Sequence, residues 1–338
     1  MSTEERDTLR DLVEQGDTEE SQDKIREMLK EMTAGEAGKR SRVDDKRLKK
    51  IASLYDTHNF WDSQPVPKAT DVVTSDDYNK QIDEVKTVDE ISDKPLDIPA
   101  GFQWCNVNIE DDNECKDVYD LLTQNYVEDD DAMFRFDYSI KFLQWALTPP
   151  GYKKDWLFGV RGGKKNKLFG FISGIPVHIN VNGKSMVMAE INFLCVHRSL
   201  RTKKLAPVLI KEVTRRVNRY NIWQAVYTAG IVIPTPIAQS TYWHRSLNPK
   251  KLIETGFSSL PHKMPMARFV KMYKTADNTS IKGLRAMTTN DVVPVQLLLN
   301  EYMKKFKLHI TFSADEIAHF FLPKEWVIES YVVEDPET

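Results

Sequence analysis

The stretch Glu190-Ile-Asn-Phe-Leu-Cys-Val-His-Arg-Ser-Leu-Arg-Thr-Lys-Lys-Leu-Ala206 passes from an apolar run directly into the start of a basic helix. Ile191, Phe193 and Cys195 alternate with Asn192, Leu194 and Val196, the pattern of a strand covered on both faces. The spacing predicts a helix from about Thr202. Leu205, Val208, Leu209, Val213 and Val217 recur at helical intervals, while Lys203, Lys204, Lys211, Arg215 and Arg219 point in the other directions. The first turn of a helix presents unpaired N–H groups and the positive end of the backbone dipole. With Arg201, Lys203 and Lys204 beside it, this junction suits phosphate or pyrophosphate.

A second stretch with chemical content is Tyr126-Val-Glu128-Asp129-Asp130-Asp131-Ala-Met-Phe134-Arg-Phe136-Asp-Tyr138. Carboxylates supply charge and aromatics supply shape, so it reads as a lid over a cationic substrate; a solvated charge run is the plainer alternative. His58-Asn-Phe60-Trp61, followed by Pro65 and Pro67, reads as an extended segment that docks by its aromatics, either on a ligand or simply to pin the preceding arm. Cys195 fits a small buried hydrophobe better than a nucleophile. His197 and His244 fit surface or satisfied histidines, and the absence of H-x-x-x-H and C-x-x-C spacings points to no metal site.

These groups need a scaffold, and the chain is long enough to build one. Its 338 residues are 41% hydrophobic, and the formal net charge of −3 excludes a globally basic nucleic-acid binder. No apolar run approaches the roughly 20 residues of a membrane span, and the first 29 residues are charged throughout, so a cytoplasmic location is expected, with peripheral membrane association as a second reading. Three cysteines, Cys105, Cys115 and Cys195, favour reduced thiols. Residues 1–57 read as a charged, partly helical or disordered arm whose basic patch Lys46-Arg47-Leu48-Lys49-Lys50 either rests on an acidic surface or is simply a solvated helix, and residues 68–97 read as a loop or linker.

A strand is expected over Phe102–Ile109 and a helix from Asp112. Antiparallel hairpins follow, one turning at Gly162–Asn166 and one at Asn182-Gly183. After the basic helix come a buried strand over Ile222–Gly230, a short helix from Pro236 through His244, and Leu252–Phe257. From Ile281 the pattern restarts as strand, polar turn and helix (Val292–Phe306), then a helix near Ser313–Phe320 and a strand at Val327–Val333. Read as a repeat of 102–257, the part from 284 is much shorter than its counterpart, so the second copy is expected to be incomplete, with an exposed sheet edge.

His58 to Pro67, Asn125 to Asp131, Met133 to Tyr138, Glu190 to Arg201, Gln224 to Gly230 and Tyr242-Trp-His-Arg-Ser-Leu-Asn-Pro249 together closely resemble the glycylpeptide N-tetradecanoyltransferase (protein N-myristoyltransferase) family of eukaryotes. The resemblance runs from about residue 55 to the end. It implies an α+β fold of two fused acyl-CoA N-acyltransferase (GNAT-like) units, each a mixed, mostly antiparallel sheet flanked by helices. Residues 58–270 would be the acyl-CoA-binding unit and 271–338 the start of a truncated peptide-binding unit. Arg201-x-x-Lys204-x-Ala206 is similar to the phosphate-binding R-x-x-G-x-G/A signature of that superfold, with lysine where glycine is usual.

The resemblance further implies that Arg201, Thr202, Lys203, Lys204, Leu205, Ala206 and Pro207 grip the CoA phosphates. His58, Phe60 and Trp61 would cover the acyl-CoA, and Leu194, Cys195 and Val196 would line its path. The backbone N–H groups of Phe193 and Leu194 would form the oxyanion hole, with Thr228 beside the attacking amine. Tyr126, Asp129, Asp131, Phe134, Phe136, Tyr138, Tyr242 and His244 would bind the peptide. The implied reaction moves the tetradecanoyl group from myristoyl-CoA, a co-substrate rather than a cofactor, to N-terminal glycine amines. The family's C-terminal carboxylate base is not expected here, which leaves a non-catalytic acyl-CoA-binding fragment as the alternative. Expected partners are myristoyl-CoA and glycine peptides, with a ribosome contact through the basic arm; a monomer is expected.

Overall fold

A computed structural model describes residues 60–67, 79–84, 86–128, 134–230, 233 and 236–335. The arm over 1–57, His58, Asp129 and Asp131 lie outside these residues. The chain divides into two compact units, one of residues 1–86 with 229–240 and the other of 87–228 with 241–338. In the first, Phe60 and Trp61 meet edge to face at 5.0 Å, and a 3-10 turn over Trp61–Ser63 is closed by Ser63 N–H donating to the Phe60 carbonyl.

The second unit holds the rest of the described architecture. Strand β1 (Phe102–Asn106) is followed by helix α1 (Asp112–Asn125) and helix α2 (Ile140–Leu147). Asp111 caps α1 by accepting from the N–H groups of Asn113 and Glu114, and Ser139 caps α2 through Phe142 N–H, each satisfying donors that a helix start leaves orphaned. Strands β2 (Leu157–Gly162), β3 (Lys167–Val181) and β4 (Lys184–Val196) then form the predicted antiparallel meander. Asn182 and Gly183 both take positive φ at the second turn, as a two-residue hairpin loop requires. Between β2 and β3 the backbones come so close that a Cβ on Gly159 would lie 2.2 Å from the Gly170 carbonyl oxygen, which only glycine permits.

Helix α3 (Leu205–Asn218) returns across the sheet to β5 (Ala225–Val226), which lies parallel to β4. The described sheet runs β1-β2-β3-β4-β5. Leu209, Val213 and Val217 of α3 are buried on one face with Trp156, Phe158 and Ile172. Val118, Leu121 and Leu122 of α1 and Leu143 and Leu147 of α2 cover the other face with Phe171, Phe193 and Cys195. The expected strand over Ile222–Gly230 is thus only two residues long, and no helix forms over the described residues from Pro236 to His244. Instead α4 (Pro249–Glu254) starts at Pro249, preset for a first helical turn and capped by Asn248, and α5 (Met266–Tyr273) follows.

The predicted restart is present as β6 (Leu284–Ala286), α6 (Val292–Met303), α7 (Ala314–Phe321) and β8 (Tyr331–Val333), with β6 and β8 antiparallel. One strand escaped the sequence reading. β7 (Leu308–Ile310) pairs with Ile179–Val181 at the far end of β3 and ties this region to the first sheet. α6 buries none of its residues, and Val293, Leu297 and Leu298 are exposed. No described helix is long and apolar enough to cross a membrane.

Candidate active site

The strand β4 breaks where chemistry was expected. Cys195 pairs with Phe171 and Asn192 with Ser173, so Phe193 and Leu194 together face Ile172 alone. Two residues against one is a β-bulge, which kinks the strand and disturbs its ladder. Phe193 sits at φ +51, a left-handed conformation that a bulky side chain adopts only under constraint. The constraint is its ring, buried between Tyr126 at 6.1 Å and Tyr138 at 5.3 Å. The Phe193 N–H donates to Asn192 Oδ1 at 2.9 Å, while Ser173 Oγ donates to the Asn192 carbonyl at 2.8 Å. The Phe193 backbone N–H that the resemblance assigns to an oxyanion hole is therefore held by a carboxamide. Burial pushes the Tyr126 phenol up to about 12, so it stays protonated.

Beyond the bulge, Cys195 donates its thiol to the Leu121 carbonyl at 3.9 Å. Burial pushes that thiol up to about 12 and outweighs the nearby Arg201 and Arg135, so it is an un-ionised wall residue and no nucleophile. Leu194 and Val196 face the opposite core, toward α3.

The helix begins later than its periodicity suggests. Arg198–Lys203 is a 3-10 turn capped by the His197 side chain, Lys204 takes φ +57, and α3 starts at Leu205. This left-handed residue falls where the superfold signature has glycine, the residue for which such a φ is free of strain. Lys204→Gly is expected to be about 1 kcal/mol more stable than Lys204→Ala in urea unfolding, because only alanine carries a Cβ into the left-handed region. Equal stabilities would show that the backbone here is not strained.

Cations around the helix start divide into two groups. Arg198 and Arg201 are committed to the end of α1. Arg198 Nη2 donates to the Gln124 carbonyl at 2.7 Å and Arg201 Nη2 to the Asn125 carbonyl at 2.6 Å, with Glu128 a further 3.8 Å partner for Arg201. They complement the negative end of that helix. Lys203 and Lys204 are exposed, and no described residue gives either a hydrogen bond or ion pair. Thr202 is exposed beside them. The N–H groups of Leu205 and Ala206 open α3 without a side-chain cap, and Pro207 has no N–H to satisfy. His197 is held below its ordinary value by burial and by Lys167, Arg198 and Arg201, and is neutral at neutral pH.

The aromatic residues assigned to the peptide fall into two groups. Phe136 stacks on Tyr138 at 5.8 Å, and Tyr138 stacks on Phe142 at 5.1 Å, which carries the row to the bulge. Phe134 meets Phe257 at 5.2 Å and His244 meets the same ring at 6.0 Å. Tyr242 is 85% exposed. Glu128 pairs with Arg135, both as an ion pair and as an isolated antiparallel bridge. Thr228 is exposed, two residues past Val226, where the short β4–β5 pairing ends opposite Glu190.

Between the aromatic row and the bulge lies a cavity of about 250 Å³. It is lined by Tyr138, Phe142, Trp145, Ser173, Ile175, Glu190, Asn192, Phe193 and Phe320, among others. Glu190, Asn192 and Trp145 had been assigned no role from sequence. The available signal was two polar residues at alternate positions in an otherwise apolar strand. A more open hollow of about 590 Å³ at the other end of β3 and β4, near Lys153, His178, Tyr220 and Glu316, contains none of the predicted site residues. No metal-binding cluster exists among the described residues.

Residues 81–240 match the family described as myristoyl-CoA:protein N-myristoyltransferase, N-terminal domain, and residues 254–338 its C-terminal domain. Similar relatives include glycylpeptide N-tetradecanoyltransferase 1 of Arabidopsis thaliana, 47% identical over 87% of this chain and 68% of that protein. The Drosophila melanogaster glycylpeptide N-tetradecanoyltransferase is 50% identical over 82% of this chain and 58% of its own length. The crystal structure of Saccharomyces cerevisiae N-myristoyltransferase with bound myristoyl-CoA superposes with a TM-score of 0.78 at 44% identity, covering 83% of this chain and 67% of that one. The chain therefore spans roughly three fifths to two thirds of the length of these relatives. By sequence and by fold, this chain belongs to the myristoyl-CoA:protein N-myristoyltransferase family.

Proposed function

We propose that this chain binds myristoyl-CoA along the bulge of β4 and the start of α3, and transfers its tetradecanoyl group to N-terminal glycine amines of proteins. The observation that carries the reading is the juxtaposition, within one strand-to-helix connection, of the bulge at Phe193-Leu194 and the uncapped helix start with Lys203 and Lys204. The first polarises a thioester carbonyl and the second holds phosphates.

The nucleophile is the substrate's own α-amine, whose pKa near 8 leaves a usable neutral fraction at pH 7. Its nitrogen attacks the thioester carbon, and the developing oxyanion takes the Phe193 and Leu194 N–H groups in place of the Asn192 carboxamide. The C–S bond then breaks, the sulfur leaves as CoA thiolate, and the nitrogen gives up a proton, which the thiolate takes up overall, as the amide forms. Cys195 takes no part. The co-substrate is consumed, so no resident cofactor is needed. A monomeric state, a cytoplasmic location and a ribosome contact through the basic arm belong to the same proposal, the free thiols of Cys105, Cys115 and Cys195 being in keeping with a reducing compartment.

Calorimetric titration with tetradecanoyl-CoA, acetyl-CoA and CoA tests the reading. Tetradecanoyl-CoA is expected to bind at least about 100-fold tighter than acetyl-CoA, since each additional buried methylene contributes up to about 0.8 kcal/mol. Equal affinity, or preference for acetyl-CoA, would point to a small-amine acetyltransferase and overturn it.

A further inference from the structure

The hairpin of β3 and β4 has two outer edges near its turn, and the described residues cover one of them. On the β3 side, Thr311 N–H donates to the His178 carbonyl at 2.9 Å and Leu308–Ile310 pair with Ile179–Val181. On the β4 side, β5 pairs only with Ala189 and Glu190, and no described strand lies along Lys184–Met188. A proline fixes which groups this edge presents. Pro176 has no N–H and stands opposite Ala189, so that pair exchanges no ladder bonds, and the Ala189 N–H turns outward to the Gln224 carbonyl at 3.0 Å. Alternation turns the N–H and C=O groups of Val187 and Ser185 outward as well, and no described residue bonds them.

Beside this edge lies the hollow of about 590 Å³, with Pro150, Pro176, Met186, Val187 and Ile222 among its apolar walls. Its charges favour an acidic guest. Lys153 holds its Nζ 5.4 Å from the Tyr220 ring centre and Lys184 is exposed at the end of the edge, and no described carboxylate pairs with either. Nearby carboxylates are committed. Glu316 Oε2 accepts from the Ser313 N–H and Oγ, both at 2.7 Å, and its Oε1 is 3.7 Å from His178 Nδ1. Asp155 accepts the Tyr220 hydroxyl at 2.9 Å. Unpaired backbone groups along an edge, apolar walls beside it and unpaired cations at its ends are what an added strand with acidic side chains requires.

We propose that an extended acidic segment of a partner protein docks in this hollow as an added strand on the free edge of β4. Its backbone pairs with Val187 and Ser185, and its carboxylates meet Lys153 and Lys184. Roughly 20 Å of strand separates Val187 from the bulge at Phe193, so a partner held here leaves the reaction site open.

The test titrates the whole chain with a terminally blocked hexapeptide alternating valine and glutamate, with its lysine counterpart, and with a fully N-methylated glutamate form. The glutamate peptide is expected to bind at least about tenfold tighter than the lysine one, since like charges across the same contact repel. The N-methylated form, which has no backbone donors, is expected not to bind. Hydrogen exchange at the Ser185 and Val187 amides is expected to slow at least about tenfold in the glutamate complex. Val187→Pro removes only an outward donor and is expected to weaken the glutamate peptide at least about tenfold, with the near-ultraviolet circular dichroism unchanged. Lys153→Glu, which leaves the backbone alone, is expected to erase the preference for glutamate over lysine. A chain that binds neither peptide, or both alike, overturns the proposal. So does a Lys153→Glu chain that keeps the preference, or exchange at Ser185 and Val187 that the peptide leaves unchanged. Exchange there that slows in the free chain as its concentration rises would mean that a second copy covers the edge, and overturns it too.

Discussion

Glu212→Ala is expected to lower the unfolding free energy by about 3–5 kcal/mol, the largest single-residue effect on stability that the structure supports. Glu212 lies on α3 with its side chain fully buried, and its carboxylate accepts from Arg215 Nε at 2.9 Å and Nη2 at 2.7 Å, and from Arg216 Nε at 2.8 Å. It also accepts from the Leu96 N–H at 3.2 Å. Arg216 continues to Asn106 Oδ1 and the Asp155 carbonyl, both at 2.6 Å, and lies over the Phe158 ring. Removing the carboxylate strands two guanidinium groups, one of them buried, with no anion.

Burial alone would raise the Glu212 pKa, but the two arginines and the Leu96 N–H hold it below its ordinary 4.5. A carboxylate held low in the folded state stabilises the fold at pH above its unfolded value, and that stabilisation is lost as pH falls through the lower folded one. The difference between the unsubstituted chain and Glu212→Ala should therefore be full at pH 7 and shrink below about pH 4.5. Chemical denaturation at both pH values measures it. A loss under about 1 kcal/mol at pH 7 would mean that this network does not hold α3 in place.

Lys203→Glu combined with Lys204→Glu is expected to weaken tetradecanoyl-CoA binding by at least about 100-fold, the largest effect on function. A hydrogen bond to a charged group contributes about 1.5–3 kcal/mol, and 1.4 kcal/mol is about tenfold in affinity, so losing two such contacts already reaches that figure before repulsion is added. Arg198 and Arg201 cannot take over without releasing the carbonyl groups that end α1. Binding by the unsubstituted chain should weaken with salt, as ionic screening shortens to about 8 Å near physiological strength, and binding by the double variant should depend on salt much less. Calorimetry at low and high salt separates the two. An affinity within threefold of the unsubstituted chain would remove the lysines from the phosphate site.

Much of this site was legible because strand and helix periods are local properties. The apolar run ending at Val196 and the stripe Leu209, Val213, Val217 identified β4 and α3, and Asn182-Gly183 identified the hairpin between β3 and β4. Long-range pairings left weaker traces. β7 is a three-residue strand whose place on β3 depends on register at a distance, and the run at Ile222–Gly230 looks like a full strand although only Ala225 and Val226 find partners on β4. Charge was misread where burial depends on partners. Arg215 reads as a solvent-facing residue of α3, yet it is drawn inward by Glu212, a carboxylate that periodicity alone would place on the wet face. The opposite holds for Glu190, which is half-buried on β4 although no described residue pairs with its carboxylate.

At the bulge, sequence and structure together sharpen the account. The resemblance named Phe193 and Leu194, and the structure adds the left-handed turn at Phe193, the rings that hold it and the Asn192 carboxamide that occupies its N–H. The central claim is that this junction both binds the thioester and activates it toward an amine. Single-turnover mixing of the chain, preloaded with tetradecanoyl-CoA, against a glycine-initiated peptide tests that claim most directly. One CoA is expected to be released for each tetradecanoyl amide formed, and neither product when the peptide's amine is acetylated. A thioester that stays intact on the chain beside saturating glycine peptide would contradict it.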